Sequence, residues 1–323
     1  MKNRAVAGAE PEVLLSVSFD DGEYQLVPVD TNPIQELIVP VVWWDGHHLH
    51  CWGTAFAITA TGLFVTARHV VDEFIEEYAD ATHAGVAGLY VLYESTRELP
   101  PLADEPDVPA GYGGLFPVVG VSQHPTADIA LLRLSVPHHD GVPIVFPTLA
   151  LDVGLPRKGQ RCVAVGYGHM QLDGVVPPAA HRGLGPAAVE YERQLAVTRG
   201  RVLDIYPERR DSGLLAWPSF QTDARYPSGM SGSPVIADDG RVLGIVCSGT
   251  KTAPYTSAAT LLASLLPMHV PPVSDPPEPT PAVAELAGDG VVSVEGWDDI
   301  DVVDTADGPR QVFTPDAVGR ALL

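Results

Sequence analysis

Apolar positions along the chain fall in short runs rather than long helical stripes. The runs at 24–29 and 38–44 are rich in Val, Ile and Leu, and a run at 13–19 joins the first across Asp20-Asp21-Gly22. Short β-branched runs bounded by turn residues predict strands, because such side chains pack on a pleated surface and Asp-Gly favours a hairpin turn. Residues 51–59 and 62–67 predict a second hairpin about Thr61-Gly62, followed by a short helical turn at 72–78. From 79 to 114 the pattern thins to one strand at 89–93 and a Pro- and acid-rich stretch at 100–109, read as an insertion or long surface loop. Strand character returns at 118–121 and 127–134, and a Pro/His/Gly connection at 137–143 separates two halves.

The second half opens with a strand at 161–166, a Gly/Pro-rich loop at 170–186 and a hairpin at 194–206. Runs at 235–237 and 242–247 flank Asp238-Asp239-Gly240 as a further hairpin. Residues 257–266 place Leu261, Leu262, Leu265 and Leu266 on one helical face behind Ser257 as a cap, which predicts a helix. Pro271, Pro272, Pro276, Pro277, Pro279 and Pro281 predict an extended linker. An acidic tail follows, with only Arg310 and Arg320 opposing its carboxylates and with 291–294 and 301–303 as candidates for a small strand pair.

The composition narrows the function classes. With 46% hydrophobic residues in 323, the chain has ample core for a globular fold. A formal charge of −22 argues against nucleic acid and against anionic membrane surfaces, both of which recruit clustered Lys and Arg. No apolar run is long enough to span a bilayer, and Lys2 and Arg4 have no apolar stretch behind them. Cys51, Cys162 and Cys247 are scattered and odd in number, which fits reduced core thiols and a cytoplasmic location. His47, His48, His50, His138 and His139 lack metal-ligand spacing and read as surface loop residues, so neither metal nor cofactor is expected.

One stretch invites chemistry. Gly229-Met230-Ser231-Gly232-Ser233-Pro234 sets a serine between glycines, and glycine reaches backbone angles that aim consecutive N–H groups into one pocket. Acyl transfer needs that combination: a hydroxyl to attack the carbonyl and fixed donors, here the N–H groups of Gly229 and Ser231, for the resulting oxyanion. By itself the motif is equally a plain turn. A serine hydroxyl also needs a base and an acid to orient it, and His69 after a strand-like run and Asp128 at a strand mouth fit those roles.

Together these segments resemble the trypsin/chymotrypsin-like serine proteases, most closely their bacterial HtrA-type branch. The resemblance rests on Gly53-Thr54-Ala55-Phe56-Ala57-Ile58 with Val65-Thr66-Ala67-Arg68-His69-Val70-Val71, on Asp128-Ile129-Ala130-Leu131-Leu132-Arg133-Leu134, and on Gln221-Thr222-Asp223-Ala224 leading to the serine loop. It covers roughly residues 34–266. It implies an all-β, chymotrypsin-like double β-barrel with a C-terminal helix and an acidic Pro-rich tail. The implied organisation is an N-terminal extension (1–34), an N-terminal barrel with His69 and Asp128 (35–139), a C-terminal barrel with Ser231 and a closing helix (140–268), and the tail (269–323).

The implied activity is that of a serine endopeptidase acting through an acyl-enzyme on protein or peptide substrates, under partner or tail control. The resemblance further implies that Cys247-Ser248-Gly249 pairs with substrate backbone and that Arg225 stands at the base of the P1 pocket, favouring an acidic side chain. The competing reading has Arg225 paired with a local acid such as Asp223 or turned to solvent. Three departures stand out: Met230 replaces the aspartate of secreted trypsins, Ser233 replaces a glycine, and Cys247 replaces a serine beside the family's aspartate. The tail is also too short for a PDZ domain. Rival functions are a catalytically latent protease-like binding module and an acyl hydrolase for small esters.

Overall fold

A computed structural model describes residues 24–28, 33–45, 48–83, 87–94, 113–136, 138–139, 142–168, 170–174, 189–192, 194–249, 256–273, 278–305 and 308–322. The expected strand at 13–19, the stretch at 100–109, most of the loop at 170–186, His47, Pro276 and Pro277 lie outside those residues.

The first barrel closes in the order Ile38–Trp44, Leu49–Ala57, Leu63–Thr66, Ala130–Leu134, Gly113–Gln123 and Gly88–Glu94, the last pairing back onto the first. Strands Ile38–Trp44 and Leu63–Thr66 are apolar because both of their faces are covered. Ile38–Trp44 is buried along its whole length, and Tyr93, Phe116 and Phe146 meet edge to face inside. The second barrel runs Pro234–Ala237, Arg161–Gly166, Gln194–Tyr206, Ser219–Thr222, Ser257–Leu261 and Val242–Ser248, and closes where Val242–Ser248 pairs with Pro234–Ala237. The buried cluster of the first barrel continues into Val163, Val165, Tyr167 and Ile245 of the second, so the two share a packed face. The fold is therefore all-β, with two six-stranded barrels and a C-terminal helix at Pro315–Leu322.

Several local expectations are corrected. Residues 257–266 are not a helix: Ser257–Leu261 is a strand held between Ser219–Thr222 and Val242–Ser248, and only Leu262–Leu265 turns as a 3-10 helix. A strand buried on both faces carries no period-two alternation, so its apolar run mimics a helical stripe. The helical turn expected at 72–78 is a longer helix, His69–His83. Within the supposed loop after 170, Gln171–Gly174 pairs with Val189–Glu192.

Among the described residues, the Pro-rich segment and tail are anchored on both barrels. Pro271 is buried against Gly120 of the first barrel, and its carbonyl accepts from Arg133 Nη1 at 3.2 Å. The chain then returns through the bridge His269–Ala282 and the short helix Val283–Gly288, where Val283 is fully buried. Val294–Glu295 adds a parallel strand to Leu151–Asp152 on the second barrel. The hairpin Ile300–Thr305 with Gly308–Phe313 follows, and the last helix seats Ala317 and Ala321. Arg241 fastens this face through Asp239, Asp152 (3.3 Å) and Glu295 (2.6 Å). The segment straps both barrels.

Candidate active site

His69 is the first residue of its helix, three residues beyond the end of the fully buried strand Leu63–Thr66. Asp128 lies in the turn before Ala130–Leu134, which pairs with Leu63–Thr66 in the register Thr66–Ala130. That register brings both side chains to one barrel rim. Asp128 Oδ1 accepts the His69 backbone N–H at 2.9 Å, and Oδ2 lies 2.8 Å from Nδ1. A carboxylate can only accept, so Nδ1 carries the proton and Nε2 faces Ser231 Oγ at 2.7 Å as an acceptor.

Side chains around the pair hold it in place. Arg68 bonds the carbonyls of His124 and Pro125, both at 3.0 Å, and pairs with Asp72 at 3.2 Å. Gln123 donates to the same Asp72 carboxylate. His124 Nδ1 accepts the Ala127 N–H at 2.7 Å; burial, then the neighbouring Arg68 cation, hold its pKa low and keep that nitrogen an acceptor. The turn carrying Asp128 is thus tied to the residue next to His69. For His69 itself, burial disfavours the charged ring. The hydrogen bond and charge of Asp128, with the charge of Asp72, outweigh it and raise the pKa above the ordinary histidine value.

Ser231 is positioned by backbone instead. Gly229 and Gly232 adopt φ of 93° and 87°, the left-handed region that side chains rarely enter. A Cβ on Gly232 would overlap the Thr54 carbonyl oxygen, and one on Gly229 the Tyr167 carbonyl oxygen. Below the loop, Met230 is fully buried in the second barrel, which explains an apolar residue at that position. Among the described residues, neither the Gly229 nor the Ser231 N–H donates to a protein acceptor. Both remain available for an incoming oxygen.

Thr54 is the residue that the motif analysis passed over. Its N–H donates to the Ser231 carbonyl at 2.8 Å and its hydroxyl to the Gly229 carbonyl at 3.0 Å. The same hydroxyl accepts the Tyr167 N–H at 2.9 Å, while the Thr54 carbonyl accepts from Thr66 Oγ1 at 2.7 Å. One buried threonine therefore pins the serine loop to the first barrel. The only sequence hint was its place directly after Gly53, whose missing side chain admits Val70 and the Ser231 carbonyl.

The remaining expected site residues divide. Ser248 and Gly249 are exposed at the end of Val242–Ser248, while Cys247 is buried and its thiol donates to the Ala258 carbonyl at 3.3 Å. Burial pushes that thiol up to about 12, so it stays protonated. The Arg225 guanidinium lies 5.0 Å over the Tyr24 ring. Asp223 accepts the Arg201 N–H. His50 pairs with Asp45 at 3.0 Å, and among the described residues no group of His, Cys, Asp and Glu is arranged to hold a metal ion. Among the same residues no helix is long and apolar enough to cross a membrane.

Solved structures similar to the chain include Deg5, with 19% identity, covering 70% of this chain and 84% of that one at a TM-score of 0.43. The HtrA-type protease AlgW with a tripeptide shares 18% identity over 86% of this chain and 70% of that one, TM-score 0.44. Neuropsin, a serine protease of mouse brain, shares 17% over 72% and 93%, TM-score 0.42. No curated protein matches the sequence. The profile of the trypsin-like peptidase domain matches residues 53–245, well over half of the chain, including His69, Asp128 and Ser231. The chain belongs to the trypsin-like peptidase domain family.

Proposed function

We propose that the protein is a serine endopeptidase in which His69, Asp128 and Ser231 cleave peptide bonds through an acyl-enzyme. The observation that carries this is the unbroken hydrogen-bond chain from Ser231 Oγ through His69 (2.7 Å) to Asp128 (2.8 Å). Ser231 Oγ attacks the scissile carbonyl while Nε2 takes its proton, and Asp128 stabilises the imidazolium. The carbonyl oxygen, now negative, accepts from the Gly229 and Ser231 N–H groups. Collapse expels the amine, which leaves with the proton held on Nε2. Water then attacks the acyl-serine by the same route and restores the hydroxyl.

Substrates are proteins or peptides, held in extended form beside Cys247-Ser248-Gly249, where the exposed backbone of Ser248 and Gly249 is available for strand pairing. A peptidase of this kind needs restraint, and a regulatory partner is part of the proposal. The strap lies along both barrels, with the Pro271 carbonyl held by Arg133 and Val294–Glu295 paired to Leu151–Asp152.

The test is covalent labelling with a fluorophosphonate probe alongside hydrolysis of a casein substrate. Labelling and proteolysis should both vanish in Ser231→Ala, a loss of about 10⁶-fold in turnover. Labelling that survives in the variant, or is absent from the wild type, would refute the proposal in favour of a binding module. Labelling and rapid ester turnover without any peptide cleavage would point to a small-ester hydrolase.

A further inference from the structure

The segment that carries Ser231 leaves its sheet beside a strand from the N-terminal part of the chain. Tyr24–Pro28 pairs antiparallel with residues 194–198, in a register that runs from Tyr24 opposite Thr198 to Pro28 opposite Gln194. Arg161–Gly166 already takes the other edge of residues 196–201. Tyr24–Pro28 therefore lies on the edge that Ser219–Thr222 occupies further along, at 202–206. The two partners leave residues 199–201 between them. Asp223 closes that interval: its N–H donates to the Arg201 carbonyl at 3.2 Å and its Oδ1 accepts the Arg201 N–H at 2.6 Å. Two residues on, the Arg225 guanidinium lies 5.0 Å over the Tyr24 ring. The chain thus turns away from the sheet toward Ser231 at the end of the N-terminal strand.

That turning point is where the serine loop needs support. Gly229 and Gly232 stand at positive φ, and glycine loses more backbone freedom on ordering than any other residue, so the loop keeps one shape only if its flanks are fixed. The downstream flank is tied to Val242–Ser248, with the Gly232 N–H on the Val246 carbonyl at 2.9 Å. The upstream flank, 223–228, is held through the second-barrel core. Ala224 and Tyr226 are buried there with Met230, and Tyr24 packs against that same core. Between Ala224 and Tyr226, half-buried Arg225 meets the Tyr24 ring. Ala196, which pairs with Leu26, also adjoins the loop: a Cβ on Gly168 would touch Ala196 and Pro227 together, at 3.3 and 3.4 Å.

We propose that Tyr24 is a positioning residue for Ser231: its ring fixes Arg225, and through it the segment that sets the Gly229 N–H toward the oxyanion position. The inference rests on the reaction assigned to Ser231. A cation over an aromatic face is held by the ring quadrupole, and the attraction grows as water is excluded. Such a contact suits a joint between two segments far apart in the chain, each already tied to the same strand. Tyr24 acts on the alignment of the donors, not on proton transfer. The His69–Asp128 pair belongs to the other barrel and should keep its titration.

The test compares the full chain with Tyr24→Ala, Tyr24→Leu and Tyr24→Phe by fluorophosphonate labelling over a range of probe concentration and pH, alongside thermal melting. Tyr24→Ala should lower the maximal labelling rate about tenfold, a fraction of the 10²–10³-fold cost of losing a whole oxyanion donor. The half-saturating probe concentration and the pH midpoint should not move. Tyr24→Leu keeps an apolar group on the core without a ring face, so it should also label slowly, and it carries the test if Tyr24→Ala misfolds. Tyr24→Phe keeps the ring face and should recover the wild-type rate. Combining Tyr24→Ala with Arg225→Ala should cost little more than either change alone, because the two remove one contact. A wild type that does not label would sink the reaction assigned to Ser231, and this inference with it. Wild-type labelling that Tyr24→Ala leaves unchanged, a loss that Tyr24→Phe fails to recover, or slowing explained wholly by a lower thermal midpoint would overturn the inference alone.

Discussion

The two barrels meet at one cleft but hold their contributions by different means. The first barrel fixes His69 and Asp128 through side-chain hydrogen bonds: Asp128 grips His69 at two points, and Arg68 grips the Asp128 turn at two carbonyls. The second barrel fixes Ser231 through backbone, with positive φ at Gly229 and Gly232 and neighbours packed too closely for any Cβ. A side-chain network can lose one bond and keep its outline. A backbone loop that admits no side chain has little room to relax. Substitutions in the first barrel should therefore tune chemistry, and substitutions in the serine loop should displace it.

The largest effect expected from tuning is at Asp128. Asp128→Asn keeps the shape but presents an amide to Nδ1, which favours the wrong tautomer and removes the charge that stabilises the imidazolium. Turnover should fall by about 10⁴-fold. The pH profile separates this from simple misfolding. In the wild type His69 must be neutral to act as base, and its pKa is raised, so activity should climb with pH through a midpoint above the ordinary histidine value. In the variant the hydrogen bond to the carboxylate and the charge of Asp128 are gone while burial and the weaker Asp72 charge remain, so the residual activity should titrate at lower pH. A midpoint that stays put would mean the pair is not what sets the base.

The serine loop provides the contrasting experiment. Gly232→Ala places a methyl at φ 87° on top of the Thr54 carbonyl and close to Thr66 Oγ1. The loop must shift, carrying the Ser231 N–H and Oγ with it, and labelling should slow by about 10²–10³-fold, the effect of losing an oxyanion donor. The pH midpoint should not move, since His69 and Asp128 keep their bonds. A shifted midpoint would show that the two barrels are not separable in this way.

That division also governs what could be read from the chain. His69, Asp128 and Ser231 could be nominated from local patterns in the chain, and the fold brings His69 within hydrogen-bonding distance of the other two. Thr54 could not be: its importance comes from sheet register and barrel contact, which bring it to Gly229, Ser231 and Tyr167 from far along the chain. Arg68 was quoted only as a neighbour of His69, although its partners lie across the rim at His124 and Pro125. The strand Ser257–Leu261 was misread because burial on both faces erased its alternation. The anchorage of the tail was not legible, because proline and acid dominate its composition while the anchorage rests on a few apolar positions such as Val283 and Val292.

Thr54 lies where the two modes meet, and its effect should be intermediate. Thr54→Val preserves volume but leaves the Tyr167 N–H and Gly229 carbonyl buried without their partner. Each unsatisfied group costs about 1–3 kcal/mol, and a domain of this size loses roughly 2–4 °C of thermal midpoint per kcal/mol. Labelling of Ser231 should slow by about tenfold, the equivalent of about 1.4 kcal/mol, because the Gly229 carbonyl is no longer held away from the oxyanion position. Thr54→Ser retains the hydroxyl and should recover most of both losses. If it recovers stability without rate, the hydroxyl is structural only.

The smallest effect should come from the strap, which touches both barrels. Arg241→Met keeps an apolar stem and removes the cation shared by Asp152, Asp239 and Glu295. The guanidinium is partly exposed, so the loss should be about 0.5–1 kcal/mol, with the labelling rate unchanged. The pH dependence has a definite sign. Asp152 already has a raised pKa, mainly through burial, and Arg241 is among the groups that restrain the rise. Without the cation, ionised Asp152 meets Asp239 and Asp299 uncompensated, so the stability deficit should grow as pH rises through the carboxylate range and shrink as pH falls below it. A labelling rate that falls in step with the melting temperature would show instead that the strap sets the relative position of the barrels, and that the first barrel's side chains and the second barrel's backbone are aligned from behind.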